Sequence, residues 1–114
     1  MKFRGVLPAI TTEFRADGEI DHAFVREHVA WQVESGATGI IPCGSLGEGA
    51  TLDTAEKVAL MESCVAAAGD TPVAPGIAAL STRTGVHLAR EAARVGCRGL
   101  MVLPPYVHKG PWSE

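Results

Sequence analysis

The stretch GIIPCGSLGEGATLDTAE, residues 39–56, opens as an apolar run and closes as a helix start, with small residues between. It holds four glycines, and Ser45 and Glu48 are the polar side chains of its central CGSLGEG segment. Asp53-x-x-Glu56 has the spacing of a capping box, with Asp in the place more often taken by Ser or Thr. A helix is therefore predicted from Asp53 through KVALMESCVAAA to a stop at Gly69. The segment reads as strand, emptied loop, helix.

The same grammar recurs on both sides. GVLPAIT (Gly5 to Thr11) is a first apolar run, followed by the turn signal Asp17-Gly18. Asp21 then precedes HAFVREHVAWQVES, in which Phe24, His28 and Trp31 share one stripe and Val25, Val29 and Gln32 the next. That is helical spacing, with Asp21 as N-cap and Gly36 as C-cap. GIIPCG is the second run and TPVAPGI the third. Ser81 caps a third helix, TRTGVHLAREAARV, which Gly85 weakens and Gly96 ends. GLMVLPP is the fourth run.

Gly36, Gly69 and Gly96 close the helices at intervals of 33 and 27 residues, so the unit is repeated. The order is β-α-β-α-β-α-β, with short, mostly unalternating apolar runs, as in parallel strands covered by helices. Four strands and three helices are half of an eightfold β/α barrel, which takes about 250 residues. The fold expected is thus α/β, a (β/α)8 (TIM) barrel represented by its N-terminal half. Residues 1–114 form one domain part that would leave a strand edge exposed at each end. A small doubly wound domain is the alternative reading.

At 114 residues, 46% hydrophobic and 20% charged, the chain has the composition of a folded globular protein. Its net charge of −3 gives no electrostatic reason to expect nucleic acid or anionic membrane as a partner. No apolar run approaches the roughly 20 residues that span a bilayer, and the short N-terminal run is broken by Pro8. Cys43, Cys64 and Cys97 are widely spaced without a C-x-x-C, which points to a reducing cytoplasm rather than to disulfides. The histidines His22, His28, His87 and His108 show no ligand spacing, and none is expected to bind zinc.

In either parallel architecture the binding site lies at the carboxyl ends of the strands, where CGSLGEG sits. Backbone N–H groups freed by glycine can converge there on an anion, with the Ser45 hydroxyl as a further donor. Read alone, the segment fits equally a turn that only reverses the chain. Glu48 is read as orienting the loop by accepting backbone N–H bonds. Pro104-Pro105 stiffen the exit from the fourth run and aim Tyr106 at the face that carries Ser45. Its hydroxyl is either a proton relay or a solvated rim group.

Together these residues resemble the dihydrodipicolinate synthase / N-acetylneuraminate lyase family. The resemblance runs over essentially the whole chain: Gly5 to Thr12, Phe14, Asp17-Gly18, Asp21, the run from Gly39 to Glu56 centred on Gly44-Ser45-Leu46-Gly47-Glu48, and GLMVLPPY. It implies an eightfold barrel, commonly a homotetramer, that forms a Schiff base between a lysine and a 2-oxo acid such as pyruvate, without metal or organic cofactor. It further implies that Ser45 and the N–H groups of Ser45 and Leu46 hold the 2-oxo-acid carboxylate. Tyr106 matches the tyrosine that the synthases lend across a subunit interface. Leu46 stands where the synthases carry a second threonine, and it can pass no proton. That favours an aldolase or dehydratase of a longer 2-oxo acid over the synthase itself.

The family's lysine falls beyond Glu114. Lys2 precedes the first run, Lys57 sits in a helix, and Lys109 lies between prolines and glycines in a polar loop. The 114 residues alone are expected to be inactive. Two non-enzymatic readings stand beside the lyase: a carboxylate-binding module that has lost the chemistry, and a half-barrel closed by a second copy of itself.

Overall fold

Prolines shape this sheet. The computed structural model describes residues 3–104 and Pro111. Its elements run α1 (His22–Glu34), α2 (Thr54–Ala68), β1 (Gly76–Ala78), α3 (Thr82–Val95) and β2 (Met101–Leu103). β1 and β2, from the third and fourth apolar runs, pair in parallel with Gly76 opposite Met101. The first and second runs join them through single parallel bridges, Ala9 to Ile41 and Ile40 to Val73. Four parallel segments thus lie side by side in chain order.

Only the last pair forms a continuous ladder, and the reason is in the sequence. Pro8, Pro42, Pro72 and Pro75 fall within the runs and have no N–H to donate. Their carbonyls still accept. Ile41 donates to Pro8 at 2.9 Å, Ile40 to Pro72 at 3.0 Å, Gly76 to Pro42 at 2.8 Å and Met101 to Pro75 at 3.0 Å.

Helix α1 packs on α2, and α2 on α3. Sequential strand order with right-handed crossovers puts all three helices on one side, so the sheet curls. A doubly wound domain needs the strand order to reverse at a switch point, and here it does not. The geometry is that of half a β/α barrel.

The caps are those that the sequence spells. Asp21 accepts from the Phe24 N–H at 3.0 Å, and Ser81 from the Thr84 N–H at 3.2 Å. Asp53 and Glu56 bond reciprocally, at 2.8 and 2.7 Å, completing the capping box. Gly69 and Gly96 cap α2 and α3, whereas α1 is capped by Ser35, one residue before the expected Gly36. The Asp17-Gly18 turn closes a small antiparallel bridge between Phe14 and Ile20.

The core lies between the helices and the sheet. Val25 and Val29 of α1, Leu60, Met61 and Cys64 of α2 and Leu88 of α3 are buried, as are Ile10, Ile40, Val73 and Ile77 from the first three runs. The other α1 stripe stays outside, with Phe24, His28 and Trp31 stacked in a row at ring separations of 5.9 and 5.8 Å. Both ends of the sheet show apolar side chains to solvent, Phe3 and Val6 at one end and Val102 and Leu103 at the other. Among the described residues, no helix is long and apolar enough to cross a membrane.

Gly85 sits inside α3, where a Cβ would meet nothing nearer than the Ala79 Cβ at 3.9 Å, an ordinary contact. No packing demand holds a glycine there. Gly85→Ala should therefore raise unfolding stability by about 1 kcal/mol, read as a higher urea midpoint at unchanged slope.

Candidate functional site

The second run ends at Cys43, and its backbone turns at once. Cys43 (φ 60°) and Glu48 (φ 55°) both adopt the left-handed conformation, which side chains other than glycine rarely take. They bracket the tight part of the loop. The glycines between and beside them do something else. A Cβ on Gly47 would stand 2.8 Å from the Ile10 carbonyl oxygen, and one on Gly49 would overlap the Cys43 carbonyl. Glycine lets this loop press backbone against backbone.

The loop's hydrogen bonds run inward. Gly47 and Gly49 both donate to the Gly44 carbonyl at 3.1 Å, and Glu48 donates to Ser45 at 3.2 Å. The Gly47 and Gly49 N–H groups are therefore spent within the loop, whereas that of Gly44 donates to no acceptor among the described residues. Among the described residues, neither the Ser45 nor the Leu46 N–H donates to any acceptor. Both residues are exposed, Leu46 at 71%. Ser45 and Leu46 are thus adjacent, exposed non-glycine residues whose N–H groups have no partner among the described residues.

Each free N–H is held from behind. The peptide unit that carries the Ser45 N–H has the Gly44 carbonyl at its other end, fixed by the two glycine N–H groups. The unit that carries the Leu46 N–H has the Ser45 carbonyl, fixed by Glu48. Two adjacent amides pre-set in this way can donate together to a carboxylate or another small oxyanion.

Glu48 does not orient the loop with its carboxylate. Among the described residues that group accepts no N–H, and instead the Glu48 carbonyl accepts from the N–H and the hydroxyl of Thr51, both at 2.9 Å. Tyr106 and Lys109 lie outside the described residues. Lys57 sits in the first turns of α2, where its N–H donates to Asp53 at 3.0 Å. One residue was not singled out from the sequence at all. Thr12, 6% exposed, donates its hydroxyl to the Gly47 carbonyl at 2.7 Å. The signal was there, since alternation along the first run puts Thr12 on the buried side with Ile10, where a hydroxyl needs a partner.

Two grooves lie elsewhere. One of about 380 Å³ runs between α3 and β2, lined by Ile77, Leu80, Val86 and Val102, and one of about 290 Å³ lies beside Arg15, His22 and Glu56. Ser45 and Leu46 line neither. No cluster of three or more His, Cys, Asp or Glu side chains suited to a metal ion occurs among the described residues.

The sequence profile of the Dihydrodipicolinate synthetase family matches residues 2–114. The chain belongs to the dihydrodipicolinate synthetase family. It is 39% identical over 110 residues to the 4-hydroxy-tetrahydrodipicolinate synthase of Nitratidesulfovibrio vulgaris (strain Miyazaki F), covering 96% of this chain and 37% of that enzyme. The crystal structure of dihydrodipicolinate synthase from Aquifex aeolicus superposes with a TM-score of 0.86 at 34% identity, over 91% of this chain and 36% of the other. YagE, a prophage protein of the dihydrodipicolinic acid synthase family from E. coli K12, was solved in complex with pyruvate. It superposes with a TM-score of 0.91 at 27% identity, over 96% of this chain and 37% of that one. The chain thus spans little more than a third of the length of these relatives, as their N-terminal part, and its half-barrel is theirs.

Within this family member the thiols are chemically quiet. Burial pushes Cys43 up to about 12 and Cys97 up to about 11, and raises Cys64 as well. Unfolded, such thiols ionise near pH 8.5 to 9, roughly their free value. Above that pH the unfolded chain releases protons that the folded chain keeps, so stability falls as pH rises. Denaturant midpoints should decline from about pH 9 upward, and Cys43→Ala with Cys97→Ala should flatten the decline. An unchanged slope in that double variant would remove Cys43 and Cys97 as its cause.

Proposed function

We propose that this chain carries the carboxylate-binding half of a Schiff-base lyase acting on pyruvate or a longer 2-oxo acid. The Ser45 hydroxyl and the N–H groups of Ser45 and Leu46 take the carboxylate. The observation that carries the reading is the pair of adjacent unpartnered amides at the carboxyl end of a strand, the end at which barrel enzymes work. Hydrogen bonds from N–H to an ionised acceptor are about twice as strong as neutral ones, so two amides and a hydroxyl suffice to fix one end of a small acid.

With its carboxylate held, the ligand presents its 2-oxo carbon to a lysine supplied, by family kinship, from beyond Glu114. That lysine attacks the carbon as a free amine, water leaves, and the resulting imine draws electrons away from the neighbouring bond. Tyr106 serves proton transfer in this scheme, as its counterpart does in the synthases. No metal or organic cofactor enters. Kinship also points to a homo-oligomer, a tetramer, working in the cytoplasm on small acids rather than on nucleic acid or membrane.

Leu46 decides between aldol chemistry or dehydration and the ring-closing synthase reaction. An exposed leucine side chain cannot relay a proton, and it offers apolar surface to the tail of a longer 2-oxo acid. The second reading, 4-hydroxy-tetrahydrodipicolinate synthase proper, is favoured by the names of the curated relatives, among them the enzyme of Cereibacter sphaeroides at 41% identity.

Titrating pyruvate into the 15N-labelled chain should move the Ser45 and Leu46 amide signals first. Ser45→Ala should weaken binding at least about tenfold, the value of one hydrogen bond to a charged group. Shifts confined to residues far from the loop would end the proposal. Pyruvate with borohydride should leave no covalent adduct on these 114 residues by intact mass, and an adduct would mean that the nucleophile lies within them.

A further inference from the structure

We propose that Thr12 is a positioning residue for the loop, and that it sets the Leu46 N–H through a chain of hydrogen bonds crossing two peptide units. Thr12 and Ser63 are the two buried polar residues among those described. Ser63 bonds to His22 Nδ1 at 2.8 Å, between the helices. Thr12 instead reaches a segment 35 positions along the chain.

The order of bonds gives the role. The Thr12 hydroxyl donates to the Gly47 carbonyl at 2.7 Å. The far side of that same peptide unit is the Glu48 N–H, which donates to the Ser45 carbonyl at 3.2 Å. The far side of that next unit is the Leu46 N–H, which has no partner among the described residues. Each donation polarises the next peptide in the same sense and fixes its plane, so the terminal N–H is both aimed and made a better donor. The first run, through a side chain that never touches the ligand, thereby sets a donor on the second. The Ser45 N–H lies on a separate branch, behind the Gly44 carbonyl, which the Gly47 and Gly49 N–H groups hold and which the Gly47 carbonyl does not enter.

This role rests on the carboxylate reading only for its benefit to binding, and the chain of bonds is measurable without a ligand. In the 15N,13C-labelled chain, scalar coupling across the hydrogen bond from the Glu48 nitrogen to the Ser45 carbonyl carbon should be detectable. Thr12→Val keeps the shape and deletes the hydroxyl. It should speed Glu48 amide exchange at least tenfold and shift the Leu46 amide proton, leaving the Ser45 amide near its original position. Thr12→Ser should restore all three, while Ser63→Ala, the other buried hydroxyl, should leave all three unmoved. Pyruvate affinity should fall at least tenfold in Thr12→Val and return in Thr12→Ser.

Absence of the coupling in the unsubstituted chain would overturn the proposal even if Thr12→Val fails to fold. So would a Thr12→Ser variant that behaves like Thr12→Val, or a Thr12→Val variant that disturbs Ser45 and Leu46 equally. If the unsubstituted chain shows the coupling and the exchange pattern but no pyruvate binding, the carboxylate reading fails and the relay stands.

Discussion

Ile40 and Ile41 tie the sheet together. Ile40 gives its N–H to Pro72 and its carbonyl to Ala74, while Ile41 gives its N–H to Pro8 and its carbonyl to Ile10. Two consecutive residues thus bond the second run to both neighbours, alternating sides as a strand must. Prolines thin the remaining pairing, which is completed by the Thr38 N–H donating to Val6 and the Gly76 N–H to Pro42, both at 2.8 Å. A slip of one residue would turn the buried Ile40 to the other face and carry the loop out of line with the first run. The seam at these two isoleucines sets where Cys43 emerges, and every contact of the loop follows from that.

Because the seam is rigid, the loop can hold an unfavourable backbone. Cys43 and Glu48 each take a left-handed conformation that costs of order 1–3 kcal/mol for a side chain. Packing maintains it: the Cys43 carbonyl oxygen is wedged where a Cβ on Gly76 would come within 2.7 Å and one on Gly49 would overlap it. Strain sits on the residues with side chains, and glycine supplies the close approach around them. The result is a bent backbone in which the peptide units that carry the Ser45 and Leu46 N–H groups are held by bonds within the loop.

The helices and their order were legible in the sequence because capping is local. Asp21, Asp53 with Glu56, and Ser81 each signal a helix start within four residues, and the structure keeps all three. The four runs were legible too, though not that prolines would reduce two of the pairings to single bridges. The place of the loop could be read, but not the work of its glycines. Which N–H groups are free depends on which carbonyls lie nearby in space, and spacing along the chain does not carry that. For Thr12 the need of a partner could be read from its buried side, but not which partner, since strand pairing and no neighbour in sequence sets it. Tyr106 lies outside the described residues, and its part stays with the family resemblance.

A loop that presents main-chain donors leaves its side chains free to change. Any residue but proline at positions 45 and 46 supplies the same two N–H groups, aimed by bonds that no loop side chain makes. The side chain at position 46 can therefore change without moving either N–H, whereas at position 45 a change would also remove the hydroxyl. A scaffold of this kind lends itself to new selectivities by small steps, because variation and anchorage reside in different atoms of the same residues.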